Sequence, residues 1–289
     1  MSDRPLYDTL IKNVRVVRPE AQGVDTLDLA IREGRFAHIA PDIDPPEGAD
    51  IIDGGNLLGF PGLVDAHMHV GIYHELEEDA ESESQAAAMG GVTSSINYMR
   101  TGKYYLNKTG PYSELFPEVL QRSQGHFYVD YAYHLAPMTG RHIRELGQLV
   151  TEFGVTSFKI FMFYGSHGLH GRSSDQRSFL MIGEDENYDL AHFEFIMRGL
   201  KEVADQQPDI RDFISLSLHC ETAEIMNAYT KMVEEQGTLA GLAAYDAARP
   251  PHSEGLAIFI ASYLSHETEC ANINLLHLSS RKAMEAALM

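Results

Sequence analysis

From Gly59 onward the chain alternates between short apolar, β-prone runs and longer amphipathic runs. That rhythm limits its possible folds more than any other feature. The β-prone runs are Leu63–Ala66, Val92–Tyr98, Phe127–His134, Thr156–Phe161, Phe213–Cys220 and Asn272–Leu278. Between them lie the helix-like stretches Pro117–Arg122, Arg141–Phe153, Leu190–Val203, Ala223–Glu234 and Gly255–Leu264. A strand buried on both faces reads as an apolar run, and an amphipathic segment after each one supplies the crossover that parallel pairing requires. Six such units over about 230 residues predict an α/β fold, a (β/α)8 TIM-type barrel two units short, spanning residues 59–289. Residues 1–58 have a different texture. Leu10–Val17, Leu27–Ile31 and Phe36–Ile39 are β-prone, with the turn Glu33-Gly34 between the last two, and predict a small all-β unit.

Composition excludes several functions. With 22 Lys and Arg against 42 Asp and Glu, the formal net charge is −20, which repels phosphate backbones and anionic lipid, so neither nucleic acid nor membrane is an expected partner. Two cysteines, Cys220 and Cys270, suit a reducing compartment. No apolar run is long enough to span a bilayer, and the expectation is a soluble cytoplasmic protein. The Gly-rich stretch from Tyr164 to Tyr188, with His167 and His170, breaks the rhythm and predicts a long loop that could cover a pocket.

Four of the predicted strands carry ligand-type residues near their C-terminal ends, where barrel enzymes place their chemistry. Gly62-Leu63-Val64-Asp65-Ala66-His67-Met68-His69 puts two imidazoles two residues apart, on one side of a strand. Lys159 interrupts the apolar run Ser157-Phe158-Lys159-Ile160-Phe161-Met162. A buried ammonium is costly, whereas a neutral buried amine can react with CO2 to give a carbamate, an anionic oxygen ligand. His219 and His277 end two further runs, Ser217-Leu218-His219 and Leu275-Leu276-His277. A lone strand-end His is more often a core residue than a ligand; the argument rests on the set. Of the other histidines, those in loops or helices, His142 and His192 included, are expected at the surface or in caps, and His134 under the site. Cys220 is expected in the core and Asp65 to point towards the ions. Glu75–Glu83, six acids in nine residues, is expected to solvate a helix start.

This order of residues resembles the cyclic amidohydrolases of the amidohydrolase superfamily, the dihydropyrimidinase and hydantoinase group. The resemblance covers nearly the whole chain, including Arg249-Pro250-Pro251-His252-Ser253-Glu254-Gly255. It implies that His67 and His69 hold one divalent ion, that carboxylated Lys159 bridges, and that His219 and His277 hold a second. Zinc is the default metal, with manganese or iron compatible. Residues 1–58 would be the N-terminal part of a β-sandwich domain. The implied reaction is hydrolysis of a cyclic amide, a dihydropyrimidine or 5-substituted hydantoin, by a metal-bridging hydroxide.

Tyr164, five residues after Lys159, matches the tyrosine that dihydropyrimidinases and hydantoinases place there, and a phenol at that point can hold an oxyanion. Val70, Gly71 and Ile72 follow His69 where dihydroorotases carry an arginine, which favours neutral cyclic diamides. The alternatives are a non-catalytic dihydropyrimidinase-related scaffold, a dihydroorotase- or allantoinase-type activity, and a mononuclear deaminase. The family's strand-eight Asp has no counterpart, so the chain is expected to be the N-terminal part of a longer member. Its expected partners are a small-molecule substrate and further copies of itself, as a dimer or tetramer.

Overall fold

The computed structural model describes residues 6–18, 23–165 and 175–289, which fall into two compact units, Met1–Leu63 and Val64–Met289. In the first, β1 (Thr9–Val17) pairs antiparallel with β2 (Val24–Arg32) and parallel with β4 (Asp50–Asp53) and β5 (Leu58–Gly59), and β3 (Arg35–Ala40) flanks β2. Glu33 and Gly34 take φ of +52° and +73°, the pair of left-handed residues that a tight β2–β3 hairpin needs. Asn13, at φ +58°, marks a bulge in β1, and its amide donates to the carboxylate of buried Asp28 at 2.9 Å. Leu10, Ala30 and Ile43 form the small core of this sheet.

The second unit is a mixed α/β structure built on a six-stranded sheet. Its strands are β6 (Leu63–His69), β7 (Val92–Met99), β8 (Asp130–Leu135), β9 (Ser157–Phe161), β10 (Ser215–His219) and β11 (Ile273–Leu275). Each strand lies beside the next in sequence, and the pairs from β7 to β11 are parallel. The sheet curls as a half-barrel. The connections carry α1 (Leu76–Met89), α2 (Tyr112–Ser123), α3 (Gly140–Phe153), α4 (Gln176–Leu180), α5 (Leu190–Gln206), α6 (Ala223–Gln236), α7 (Gly241–Ala247) and α8 (Pro251–Thr268), and α9 (Arg281–Ala287) follows β11.

Local chemistry explains these elements. In β9 every residue after Ser157 is buried, as expected of a strand covered on both faces. Helix α3 packs Leu146, Leu149 and Val150 inward, starts where Thr139 accepts the His142 amide at 3.3 Å, and stops at Gly154 with φ +67°. Gly199 lets α5 approach α3 closely: a β-carbon there would lie 2.9 Å from Leu146 Cδ1.

Several expectations need correction. Strand β8 starts at Asp130 rather than Phe127, whose ring stacks on Tyr131 with centroids 4.1 Å apart. Strand β11 ends at Leu275, two residues before the strained backbone of His277 at φ +35°. The described part of Tyr164–Tyr188 is not all loop: a 3-10 turn covers Met162–Gly165, and Asp175 caps α4 by accepting the Ser178 amide at 2.9 Å. Residues 166–174, with His167 and His170, lie outside the described residues, and so does most of the predicted cover. The acidic run does more than solvate α1. Buried Asp79 accepts the amides of Gly71 and Ile72 at 2.8 and 3.2 Å, tying down the turn after His69, while Glu75 and Glu77 pair with Arg122 at 2.6 Å. Among the described residues no helix is long and apolar enough to cross a membrane.

Candidate active site

The alternation of β6 puts His67 and His69 on one side, with their Nε2 atoms 3.0 Å apart. Lys159 of β9 reaches them across the sheet: its Nζ lies 2.6 Å from His67 Nε2 and 3.9 Å from the Phe161 ring centre, and the residue is fully buried. The His277 ring is 5.9 Å from that of His67 and 4.6 Å from that of His219. All five expected ligand-type residues therefore gather at one end of the sheet.

The electrostatics of this cluster follow from its burial. Desolvation, with the Lys159 charge next, pushes His69 down to about 3 and His67 still further. Desolvation pushes Lys159 down to about 6, with only a weak opposing influence from Cys220. Burial thus disfavours the charged forms of the two imidazoles and the amine that face each other here. Buried His67 Nδ1 has no hydrogen-bond partner. Such nitrogens fit a divalent cation. Among the described residues no three His, Cys, Asp or Glu side chains meet as one ligand set. The geometry is instead two imidazole pairs with a lysine beside them, a pattern that suits ions sharing a ligand on Lys159.

Neighbouring side chains fix the ring orientations. Tyr105 Oη lies 2.8 Å from His69 Nδ1, leaving Nε2 turned to the cluster. Glu221 accepts from His219 Nε2 at 2.7 Å and from Arg249 Nη1 at 2.7 Å, a carboxylate–imidazole pairing of the kind that orients metal-binding histidines. An ion taken by His219 Nδ1 keeps this pair; one taken by Nε2 displaces it. A cavity of about 360 Å³ opens here, lined by His219, Glu221, Tyr245, Arg249 and His277 among others.

Tyr164 is fully buried and stacks on Phe161 with centroids 4.7 Å apart. Burial raises its pKa against the opposing pull of Arg100, so the phenol keeps its proton at neutral pH. His134 spends both ring nitrogens on Ser157 Oγ and the Ala66 carbonyl, a structural partner under the site as expected. His142 and His192, expected at the surface or in caps, are buried in the first turns of α3 and α5 and bond the carbonyls of Gly110 and Pro137, each at 2.8 Å, while His142 Nδ1 also accepts the Met138 amide at 3.0 Å. Asp65 accepts the His67 backbone amide at 3.0 Å and so supports the strand. Cys220 is in the core, where burial pushes its thiol up to about 12. The reading from sequence missed Tyr105, Glu221, Arg249 and Arg100. Only Glu221 carried a readable signal, two residues after His219 in a strand-like frame.

No family model matches the chain. It is 28% identical to a D-hydantoinase of Geobacillus stearothermophilus over 282 residues, 96% of this chain and 52% of that one. An allantoinase of Desulfitobacterium hafniense is 27% identical over 281 residues, 96% of this chain and 55% of the relative. An L-hydantoinase of Paenarthrobacter aurescens is 26% identical over 285 residues, 97% and 54% respectively. The chain spans about half the length of the curated relatives it matches. Among solved structures, a D-hydantoinase superposes with a TM-score of 0.75 at 23% identity, over 96% of this chain and 54% of that one. A dihydropyrimidinase from Brevibacillus agri gives a TM-score of 0.73 at 22% identity, covering 96% and 53%. Along 96% of its length the chain is thus similar in sequence to cyclic amidohydrolases, and it shares the fold of solved hydantoinases.

Proposed function

We propose that this chain carries the metal-binding part of a cyclic-amide hydrolase acting on hydantoin or dihydropyrimidine rings, its sheet supplying six strands of a (β/α)8 barrel. One observation carries the reading: His67 Nε2, His69 Nε2 and Lys159 Nζ meet at 3.0 and 2.6 Å, with Lys159 fully buried. His67 and His69 would hold one divalent ion and His219 and His277 a second, with carboxylated Lys159 as a further ligand; zinc is the default, manganese or iron compatible. Bound ions supply a nucleophilic water near neutral pH and polarise the amide carbonyl. Tyr164, held protonated by burial, donates to the oxygen of that carbonyl as charge develops on it. Water oxygen joins the carbonyl carbon, the ring C–N bond breaks, and the nitrogen leaves with a proton. With the ion on His219 Nδ1, Glu221, itself paired with Arg249, would keep its hold on the His219 ring.

The test is direct. Full-length protein is expected to purify with two divalent ions per chain and to open hydantoin or dihydrouracil. Lys159→Ala is expected to lower kcat/KM by roughly 10³ or more, at least the scale of losing one group that acts in the transition state. Protein that neither retains divalent metal nor opens any cyclic amide overturns the reading.

A further inference from the structure

The chain leaves β7 through buried Arg100 and Thr101 and then folds back on itself. The Gly102 amide donates to the Lys108 carbonyl at 2.7 Å, and the Tyr104 amide to Asn107 Oδ1 at 3.1 Å, closing a turn over residues 102–108. Tyr104 and Asn107 take φ of +78° and +52°, a left-handed backbone that a tyrosine seldom adopts. The turn is tied down from outside as well. The Lys103 amide donates to the Phe179 carbonyl at 3.1 Å, and Lys108 Nζ to Glu118 at 2.6 Å. With the turn so held, Tyr104 is exposed, while Tyr105 and Leu106 are buried.

Tyr105 meets the ligand cluster from behind. Its ring packs edge-on against Tyr98 with centroids 5.2 Å apart, and the Arg100 guanidinium lies 4.9 Å from its centre. Its hydroxyl lies 2.8 Å from His69 Nδ1, while the other nitrogen of that ring, Nε2, lies 3.0 Å from His67 Nε2. A neutral imidazole has one proton for two nitrogens, so the partner of one nitrogen decides what the other offers. The His219 ring is held in a comparable way by a carboxylate, that of Glu221. His67 Nδ1 has no partner. Of these three rings only that of His69 is met by a phenol, and the turn that brings it belongs to neither histidine strand.

We propose that Tyr105 is a positioning residue for His69. Its hydroxyl accepts the Nδ1 proton, which leaves the Nε2 lone pair facing the cluster, and the closed turn over residues 102–108 fixes the place of that hydroxyl. The proposal rests on the two-ion reading above and assigns to the β7–α2 connection a part in building the ion site. Were the hydroxyl the donor, the proton would sit on Nε2 and block it, so the tautomer of His69 is the property to read.

Full-length, zinc-loaded protein tests this. In the wild type, heteronuclear NMR of the histidine rings is expected to show His69 protonated on Nδ1, its proton in contact with the Tyr105 ring and slow to exchange with water. Tyr105→Phe keeps the ring and removes the hydroxyl. It is expected to speed that exchange, to loosen one of the two ions by about 10–100-fold in chelator competition while leaving the other unchanged, and to lower kcat by about tenfold with KM within about twofold. A His69 ring protonated on Nε2, or a variant that holds both ions as tightly as the wild type, overturns the proposal and leaves the two-ion reading standing. Equal loosening of both ions marks a structural role and overturns it too. If Tyr105→Phe does not fold, the wild-type spectrum decides alone. Wild-type protein that retains no divalent ion overturns the reading and the proposal together.

Discussion

Lys159 shows how one side chain ties folding to chemistry. Its amine carries a proton up to about 10.5 in the unfolded chain and only below about 6 in the fold, because burial disfavours the ammonium. The unfolded state therefore binds more protons between these values, and stability rises with pH across that window; the penalty is complete below about 6. In chelator-treated protein, Lys159→Met removes this dependence. The stability gap between variant and wild type is expected to narrow by roughly 1.4 kcal/mol per pH unit from pH 7 to pH 9, measured by urea denaturation at each pH. A gap that stays flat contradicts an uncharged lysine. The position of Lys159 was legible because a charge inside Phe158-Lys159-Ile160-Phe161 has no room to reach water. Arg100 was not legible: it sits after Tyr98-Met99 at a strand end, where an exposed arginine is ordinary, and only three rings from distant segments reveal its burial.

At the scale of elements, strands and long helices followed from period and capping, while the contacts that hold loops at the site did not. The strand β10 and the helix α6 lie close to their expected bounds. Helix α7 went unread because Leu242 and Tyr245 are exposed and leave no buried stripe. Glu254 in α8 is the clearest case of an unread contact. It accepts the Ser279 amide at 2.8 Å and the hydroxyls of Ser279 and Ser280 at 3.1 and 2.8 Å, pinning the segment just after His277. Nothing in the local sequence joins residues 25 positions apart. Glu254→Ala is expected to destabilise the protein by about 1.5–3 kcal/mol, the scale of hydrogen bonds to a charged group. It is also expected to loosen the ion at His219 and His277 by about 10–100-fold, as losses of supporting contacts do. Denaturant midpoints and chelator competition read the two effects, and a variant as stable as the wild type refutes the role.

The two compact units differ in the core each holds. Among its described residues Met1–Leu63 buries only the hydrophobics Leu10, Val14, Leu27, Ala30 and Ile43, whereas Val64–Met289 buries an extended cluster running through β7, β9, β10, α3, α5 and α8. Local opening follows buried apolar contact, so amides of β1 and β2 are expected to exchange hydrogen at lower urea than those of β9 and β10. Mass-spectrometric exchange distinguishes this from a single cooperative transition, in which all four strands lose protection together. The larger sheet has a further consequence. Because each strand lies beside its predecessor in the chain, the sheet can be laid down one strand at a time as the polypeptide emerges during synthesis. His67 and His69 are seated first, Lys159 later, and His277 last. A nascent chain therefore holds only fragments of the proposed ligand set until β11 docks, so that under this proposal metal capture comes late in biogenesis rather than seeding it.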